Sequence, residues 1–329
     1  MKLYTWTPNP ALDLSGHVKG IVPNEKNYVF SSRRDPGGNG INAARIAARL
    51  GTDVESLGFL GGGTGDEIIQ LLHDEKVRGR FTQILGLTRT NVTVTDDQDH
   101  RQTRLTFPGP AIRPSEIRSF LGEVKRLKAP GILVIGGSLP EGCPRDFHSQ
   151  VGHLAQEKSI GIAVDVPSKF MPAILDDRSL EILFIKPNLT ELQEWVHSPL
   201  KTDSQIRDAL RKLAARVGIA CVSLGKEGAY FAIGDRIWKG TPPDVRVRGT
   251  VGAGDSMVGA MCARLIRHKI TLGSQLAQIL RTDRGTRVME SIFRWGLAAG
   301  AATAGSEGTT LGKASEIKKL YPLANITEL

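Results

Sequence analysis

The chain has 329 residues, 40% of them hydrophobic and 23% charged, enough to bury a substantial core in one large domain or two small ones. Lys and Arg number 43 against 34 Asp and Glu, leaving +9, yet the basic residues are spread along the chain. That distribution reads as a solvated surface first, a preference for anionic small molecules second and nucleic-acid binding last. Cys143, Cys221 and Cys262 lie far apart without a C-x-x-C, which excludes a zinc ribbon or a disulfide framework and fits a reducing, cytoplasmic setting. The opening "MKLYTWTPNP" lacks the apolar stretch of a signal peptide, and no run approaches the roughly 18 apolar residues of a membrane span.

In chain order, residues about 14–35 are rich in strand formers and lack a helix. Next comes "DPGGNGINAARIAARLG" (35–51), a glycine cluster running into a helix whose Ile41, Ala44 and Ala47 face a core. "DVESLGFLG" then precedes the helical "GDEIIQLLHDEKV", and 88–108 is a second helix-poor stretch rich in Thr, Val and charge. The two helix-poor segments predict a small antiparallel sheet standing off the main one, able to cover a site or pair with a second subunit. "GILVIGG" precedes the helical "PRDFHSQVGHLAQEK", in which His148 and His153 do not match H-E-x-x-H and read as surface residues. "GIAVDVP", "LEILFIKP" and "IACVSLG" are further buried strands. Between the last two, "DSQIRDALRKLAARVG" is a helix with Asp203 as cap, Ile206, Leu210 and Leu213 on one face and Gly218 at its close. The stretch 268–287 is a surface excursion, with "LRTDRGTR" as a solvated turn. Alternating strands and helices of this kind imply parallel strands with helices on both faces, an α/β sandwich.

"TVGAGDSMVGAM" (250–261) is the stretch best suited to chemistry. Gly252 and Gly254 permit a tight turn, and the helix that follows leaves its first N–H groups free for an anion. Asp255 is itself anionic and would serve equally as a cap, but the apolar run behind it holds the turn rigidly. Fixed donors beside a fixed carboxylate suit phosphoryl transfer. The chain has no G-x-x-x-x-G-K-[ST], H-R-D or D-F-G, so it is neither a P-loop enzyme nor a protein kinase. The 35–51 cluster fails the G-x-G-x-x-G spacing. Its Asn39 and Asn42 point instead to hydroxyl recognition.

"TPNPALDLS", "PGGNGINAAR", "TRTNVTV", "GGSLPEG", "KPNLTEL", "SLGKEGA" and "TVGAGDSMVGAM" occur across 7–261 in the order seen in the ribokinase-like PfkB family of carbohydrate kinases, and "AAGAATAGSEGTTL" (298–311) resembles its nucleotide-base segment. The resemblance implies a three-layer α/β/α sandwich with a mostly parallel central sheet and a small β-sheet lid (about 14–35 and 88–108), all in one kinase domain spanning 1–329. It also implies an ATP- and Mg²⁺-dependent sugar-phosphate kinase that is a homodimer through the lid, with neither nucleic acid nor membrane as partner.

By that resemblance Asp255 is the general base, and the N–H groups around Gly252, Ala253 and Gly254 form an anion hole. A carboxylate base of ordinary pKa would suffice. Asp13, Gly38, Asn39 and Asn42 contact the sugar; Arg89 grips the phosphate already on it, and Ser138 sits at a strand's carboxyl end nearby. Asn188 and Glu191 arrange magnesium largely through waters, although their spacing also fits an N-cap with its capping partner. Lys186, Ser223, Gly225, Gly228, Ser306 and Gly308 resemble the nucleotide site. Gly249 and Thr310 depart from the family pattern at its monovalent-cation loop, which leaves potassium dependence open. Among acceptors fructose 6-phosphate ranks first, fructose 1-phosphate second and tagatose 6-phosphate third. A non-catalytic nucleotide- or sugar-phosphate-binding regulator is the alternative from another class, against which an intact Asp255 argues.

Overall fold

The computed structural model describes residues 1–98 and 101–329; Asp99 and His100, within the expected 88–108 segment, lie outside the described residues. From the N-terminus the elements are β1 (Lys2–Thr7), β2 (Ala11–Val18), β3 (Phe30–Gly37), α1 (Asn39–Arg49), β4 (Val54–Leu60), α2 (Gly62–Asp74), β5 (Arg78–Gln83), β6 (Arg89–Asp96) and β7 (Gln102–Leu105). There follow α3 (Pro114–Lys125), β8 (Gly131–Gly136), α4 (Phe147–Gln156), β9 (Ile160–Asp165), α5 (Met171–Leu175), β10 (Ile182–Ile185), α6 (Leu189–Trp195), α7 (Asp203–Ala214) and β11 (Ile219–Ser223). The chain ends with β12 (Ala229–Ile233), β13 (Arg236–Thr241), α8 (Ala253–Arg267), α9 (Leu276–Ile279), α10 (Asp283–Ala304), α11 (Ala314–Leu320) and β14 (Asn325–Glu328).

The main sheet has 10 strands in the order β14-β13-β12-β11-β10-β9-β8-β1-β4-β5. From β11 to β5 the strands are parallel, whereas β12, β13 and β14 add an antiparallel edge. Alternation along the strands divides two cores. Ile132 and Val134 of β8 point with Leu3 and Val54 toward α1, α2, α8 and α10. Leu133 and Ile135 point with Tyr4, Trp6 and Leu57 toward α3, α4 and α7. This is the three-layer sandwich expected from the sequence. Among the described residues no helix is long and apolar enough to cross a membrane.

The helix-poor segments do form a separate sheet of 4 strands, β3-β2-β6-β7. It is mixed, not antiparallel as expected, because β2 and β6 pair in parallel from Ala11 opposite Arg89 to Val18 opposite Asp96. That register brings Asp13 beside Asn91 and closes the sheet onto the ends of the main one.

Three local expectations are corrected. The cap of α7 is Thr202, whose side chain accepts from the Gln205 N–H, while Asp203 lies inside the helix and bonds Lys239; the helix stops at Ala214, ahead of Gly218. "LRTDRGTR" is no simple turn: Thr282 accepts from the Gly285 N–H at 3.1 Å, so Asp283 starts the 22-residue α10. His148 is buried, its ring 5.0 Å from that of Trp6 and 5.3 Å from that of Phe170, and burial lowers its pKa to about 3, so it sits in the core as neutral imidazole. His153 stays at the surface in a pair with Asp177.

Candidate active site

Parallel strands end on the same side of the sheet, so the residues at the carboxyl ends of β9, β10 and β11 become neighbours: Asp165 and Ser223, the last residues of their strands, and Lys186, just past β10. All three line a cavity of about 890 Å³, whose opposite wall is the start of α8. Gly252 precedes that helix at φ 74, and a Cβ there would meet the Leu311 side chain at 2.6 Å, so the turn requires glycine on both grounds. The first N–H groups of α8 have no intrahelical acceptors; that of Ala253 donates to the Thr250 carbonyl at 3.4 Å, and Gly252, Ala253 and Gly254 line the cavity.

Asp255 stands in the first turn of α8. Its Oδ1 accepts from Asn39 Nδ2 at 3.1 Å and its Oδ2 from Asn42 Nδ2 at 2.8 Å, both from the first turn of α1. The two asparagines read as sugar contacts thus fix the carboxylate, and only Asn39 also lines the cavity. Burial pushes the Asp255 carboxyl up to about 7; the Asp165 carboxylate adds to the rise, while the Asn42 amide and the Lys186 ammonium oppose it. An ordinary pKa would have sufficed, but the group is enclosed and faces a second acid.

Asp165 is the residue that the sequence reading passed over. It pairs with Lys186 at 3.2 Å, and its Oδ2 lies 3.4 Å from Asn39 Nδ2, which places one amide between two carboxyl groups. An acid at the carboxyl end of the apolar strand in "GIAVDVP" was the available signal. The criterion that singled out Ser138 applies equally to it. Lys186 is 4% exposed; burial works against its charge, yet Asp165, Glu191 and Asp255 together hold its pKa above the ordinary value. Gly254 lets the ammonium lie directly beneath the turn, 3.1 Å from where a Cβ would stand.

Asn188 and Glu191 form the reciprocal N-cap of α6, the Glu191 N–H donating to Asn188 Oδ1 at 2.9 Å and the Asn188 N–H to Glu191 Oε2 at 2.8 Å. Both also line the cavity, and burial raises the Glu191 pKa. Capping and site membership thus coexist. Farther along, Gly225 and Gly228 join Pro242, Val245, Met257 and Leu297 in an apolar slot. Ser306 and Gly308 do not line it; Ser306 Oγ donates to the Ala302 carbonyl.

Asp13, Gly38, Asn42, Arg89 and Ser138 likewise fall outside the cavity lining. Asp13 accepts from Asn91 Nδ2 at 3.0 Å, and burial raises its pKa. Gly37 leaves room for that carboxylate, because a Cβ there would overlap it. Arg89 donates to the carbonyls of Asn9 at 2.9 Å, Phe107 at 3.0 Å and Pro10 at 3.4 Å, which sets its guanidinium across the junction of the two sheets. Arg104 of β7, also unnoticed in the sequence, reaches Thr250 Oγ1 at 3.4 Å. Gly249 packs on the Gly308 carbonyl, so the two segments that depart from the family pattern touch.

A gripped carboxylate, a glycine-rich helix start, a buried ammonium and an apolar slot in one cavity are the parts of a phosphotransferase site. Residues 10–316 match the model of the pfkB family of carbohydrate kinases, and the chain belongs to that family. It is an ATP-dependent sugar kinase of phosphofructokinase type. It is 32% identical over 323 residues to the ATP-dependent 6-phosphofructokinase isozyme 2 of Escherichia coli, covering 98% of each chain. To the 1-phosphofructokinase of Bacillus subtilis it is 27% identical, over 99% of this chain and 100% of the other. The crystal structure of phosphofructokinase-2 from Escherichia coli with substrates and products superposes with a TM-score of 0.86 at 31% identity, over 98% of this chain and 99% of that one. The ribokinase-like fold follows.

Proposed function

We propose that the chain transfers the γ-phosphoryl group of ATP to the 1-hydroxyl of fructose 6-phosphate. The observation that carries this reading is the Asp255 carboxylate, held by two amides at the head of a helix whose first turn lines the same cavity. Asp255 takes the proton of the attacking hydroxyl as the oxygen–phosphorus bond forms and the bond to ADP breaks. The N–H groups of Gly252, Ala253 and Gly254 receive the charge of the group in flight, and Lys186 beneath them adds a fixed positive charge. A carboxyl titrating near neutrality is a better proton acceptor than an ordinary aspartate once ionised.

The nucleotide base fits the apolar slot beyond Ser223, Gly225 and Gly228, with Ser306 and Gly308 bracing the loop behind it. Asp13, Gly38, Asn39 and Asn42 hold the sugar; Arg89 and Ser138 hold its phosphate. Among the described residues no group of three or more His, Cys, Asp or Glu side chains is placed to hold a metal ion. That donor set fits a magnesium ion carried by the ATP phosphates and held through water by Asn188, Glu191 and Asp165, where it would neutralise phosphate charge. The smaller sheet covers the sugar. Tyr28 and Val29, 81% and 52% exposed beside its β3 edge, support pairing with a second copy through this sheet.

Coupled ADP release with fructose 6-phosphate, fructose 1-phosphate and tagatose 6-phosphate, followed by identification of the product's phosphorylated carbon, tests the proposal. The highest kcat/KM with fructose 6-phosphate and a 1,6-bisphosphate product are expected. A higher value with either competitor would reassign the acceptor.

A further inference from the structure

The far end of α8 carries an arginine to which the described residues offer no hydrogen-bond acceptor. Arg264 is 8% exposed, and its Nε is sealed from water with no acceptor. No carboxylate or carbonyl of the described residues bonds its guanidinium. The terminal nitrogens are not among the sealed atoms, so the outer edge of the fork is open. One face of the guanidinium is fixed over the Trp295 ring at 3.7 Å, and Trp295 in turn leans on Tyr321 at 4.7 Å between ring centres. Tyr321 is held by a 2.8 Å hydrogen bond to Ser291.

The surrounding charge has the same sign. Arg267, three residues along the helix, shares this face. Burial, and then Arg267, lowers the Arg264 pKa, and burial with both arginines lowers that of His268. Arg294, on the other side of the aromatic pair, lies 5.7 Å from the Tyr321 ring with its own Nε buried and unpartnered. The contrast within the chain is with Arg45: buried still more deeply, it bonds Asp35 at 3.1 Å and Glu75 at 2.6 Å. A buried cation ordinarily has such a partner because removing it from water unpaired is costly.

We propose that Arg264 and Arg267 form a second anion site, filled by the phosphoryl group of a small metabolite. A planar fork held by an aromatic ring, with its N–H edge open and a second guanidinium alongside, matches the oxygens and double charge of a phosphoryl dianion better than a single carboxylate. The site lies about nine residues, or roughly 14 Å, down α8 from Asp255, so it is separate from the sugar and nucleotide positions.

The test is thermal unfolding of the intact protein against inorganic phosphate alone, with no other phosphorylated ligand added and ionic strength matched with chloride; phosphate held in the catalytic cavity stabilises parent and variants alike. The expected result is a saturable rise in Tm that is larger by about 2 °C or more, at a hundredfold excess over Kd, in the parent than in Arg264→Met, which keeps the stem over Trp295. Arg267→Gln, at an exposed position, provides the same reading should the first variant not fold. An undiminished rise in the variants, or an equal rise with chloride alone, would overturn the proposal.

Discussion

The two sides of the site are built differently. Around Asp255 the charged groups are enclosed and satisfied by one another: Asp165 by Lys186, Asp255 by Asn39 and Asn42. On the side of the smaller sheet, Asp13 and Arg89 are tied to an amide and to backbone carbonyls, and residues such as Tyr28 and Val29 stand uncovered. On the proposed reading, the first arrangement fixes reacting groups before any substrate arrives, and the second positions a binding surface that selects the acceptor. Substitutions on the first side should therefore change turnover and those on the second should change substrate affinity.

Asp255→Asn is the most severe test. Turnover is expected to fall by roughly 10²–10⁴-fold, as for loss of a general base, with ATP binding retained by calorimetry. Near-normal coupled ADP release would remove the chemistry from this half of the site. Arg89→Ala should instead raise the KM for the sugar phosphate by about tenfold or more with little change in kcat, because a ground-state contact is lost. A fall in kcat at unchanged KM would erase the distinction between the two sides.

How much of this was legible in the sequence depends on the distance over which each signal acts. The central strands β4, β8, β9, β10 and β11 declare themselves locally as apolar runs, and the Gly252–Asp255 turn by its glycines, whereas polar edge strands such as β5 and β14 do not. Asp165 gives a weak signal because its partners come from neighbouring strands and from α1, and strand order is not written in any one segment. The contacts of Asn39 and Asn42 with Asp255 span 216 and 213 residues, so their polar character was visible and their partner was not. The parallel pairing of β2 with β6 was hidden for the same reason. Thr282 was misread because "TDRG" is equally the composition of a turn and of a helix start. Arg89 was read as a phosphate ligand from resemblance, and its three carbonyl acceptors add a structural duty that no motif carries.

Asp165→Asn sharpens the comparison within the enclosed half. As the proposed general base Asp255 would have to be ionised, so activity is expected to decline as pH falls through about 7, and the Asp165 charge is one cause of that high value. Removing the charge should move the acid limb of the kcat/KM profile to lower pH. An unmoved limb would show that Asp165 serves only to hold Lys186.

The smallest expected effect is on stability. The Asp255 carboxyl titrates near 3.8 when the chain is unfolded and at about 7 in the folded protein, so the native state binds the proton more tightly. Its contribution is fully favourable below about pH 4 and is lost progressively as pH rises through 7, above which a buried charge is carried at a cost. Asp255→Asn removes that cost while keeping one acceptor for the asparagine amides. The variant should be more stable than the parent by about 1–2 kcal/mol at pH 8, where the parent's carboxyl is ionised, and nearly equal to it at pH 4. Urea unfolding at the two pH values checks the sign: a variant less stable at pH 8 would mean that the two amides repay the desolvation of the carboxylate in full, and that the enclosed half of the site is no less comfortable than the open one.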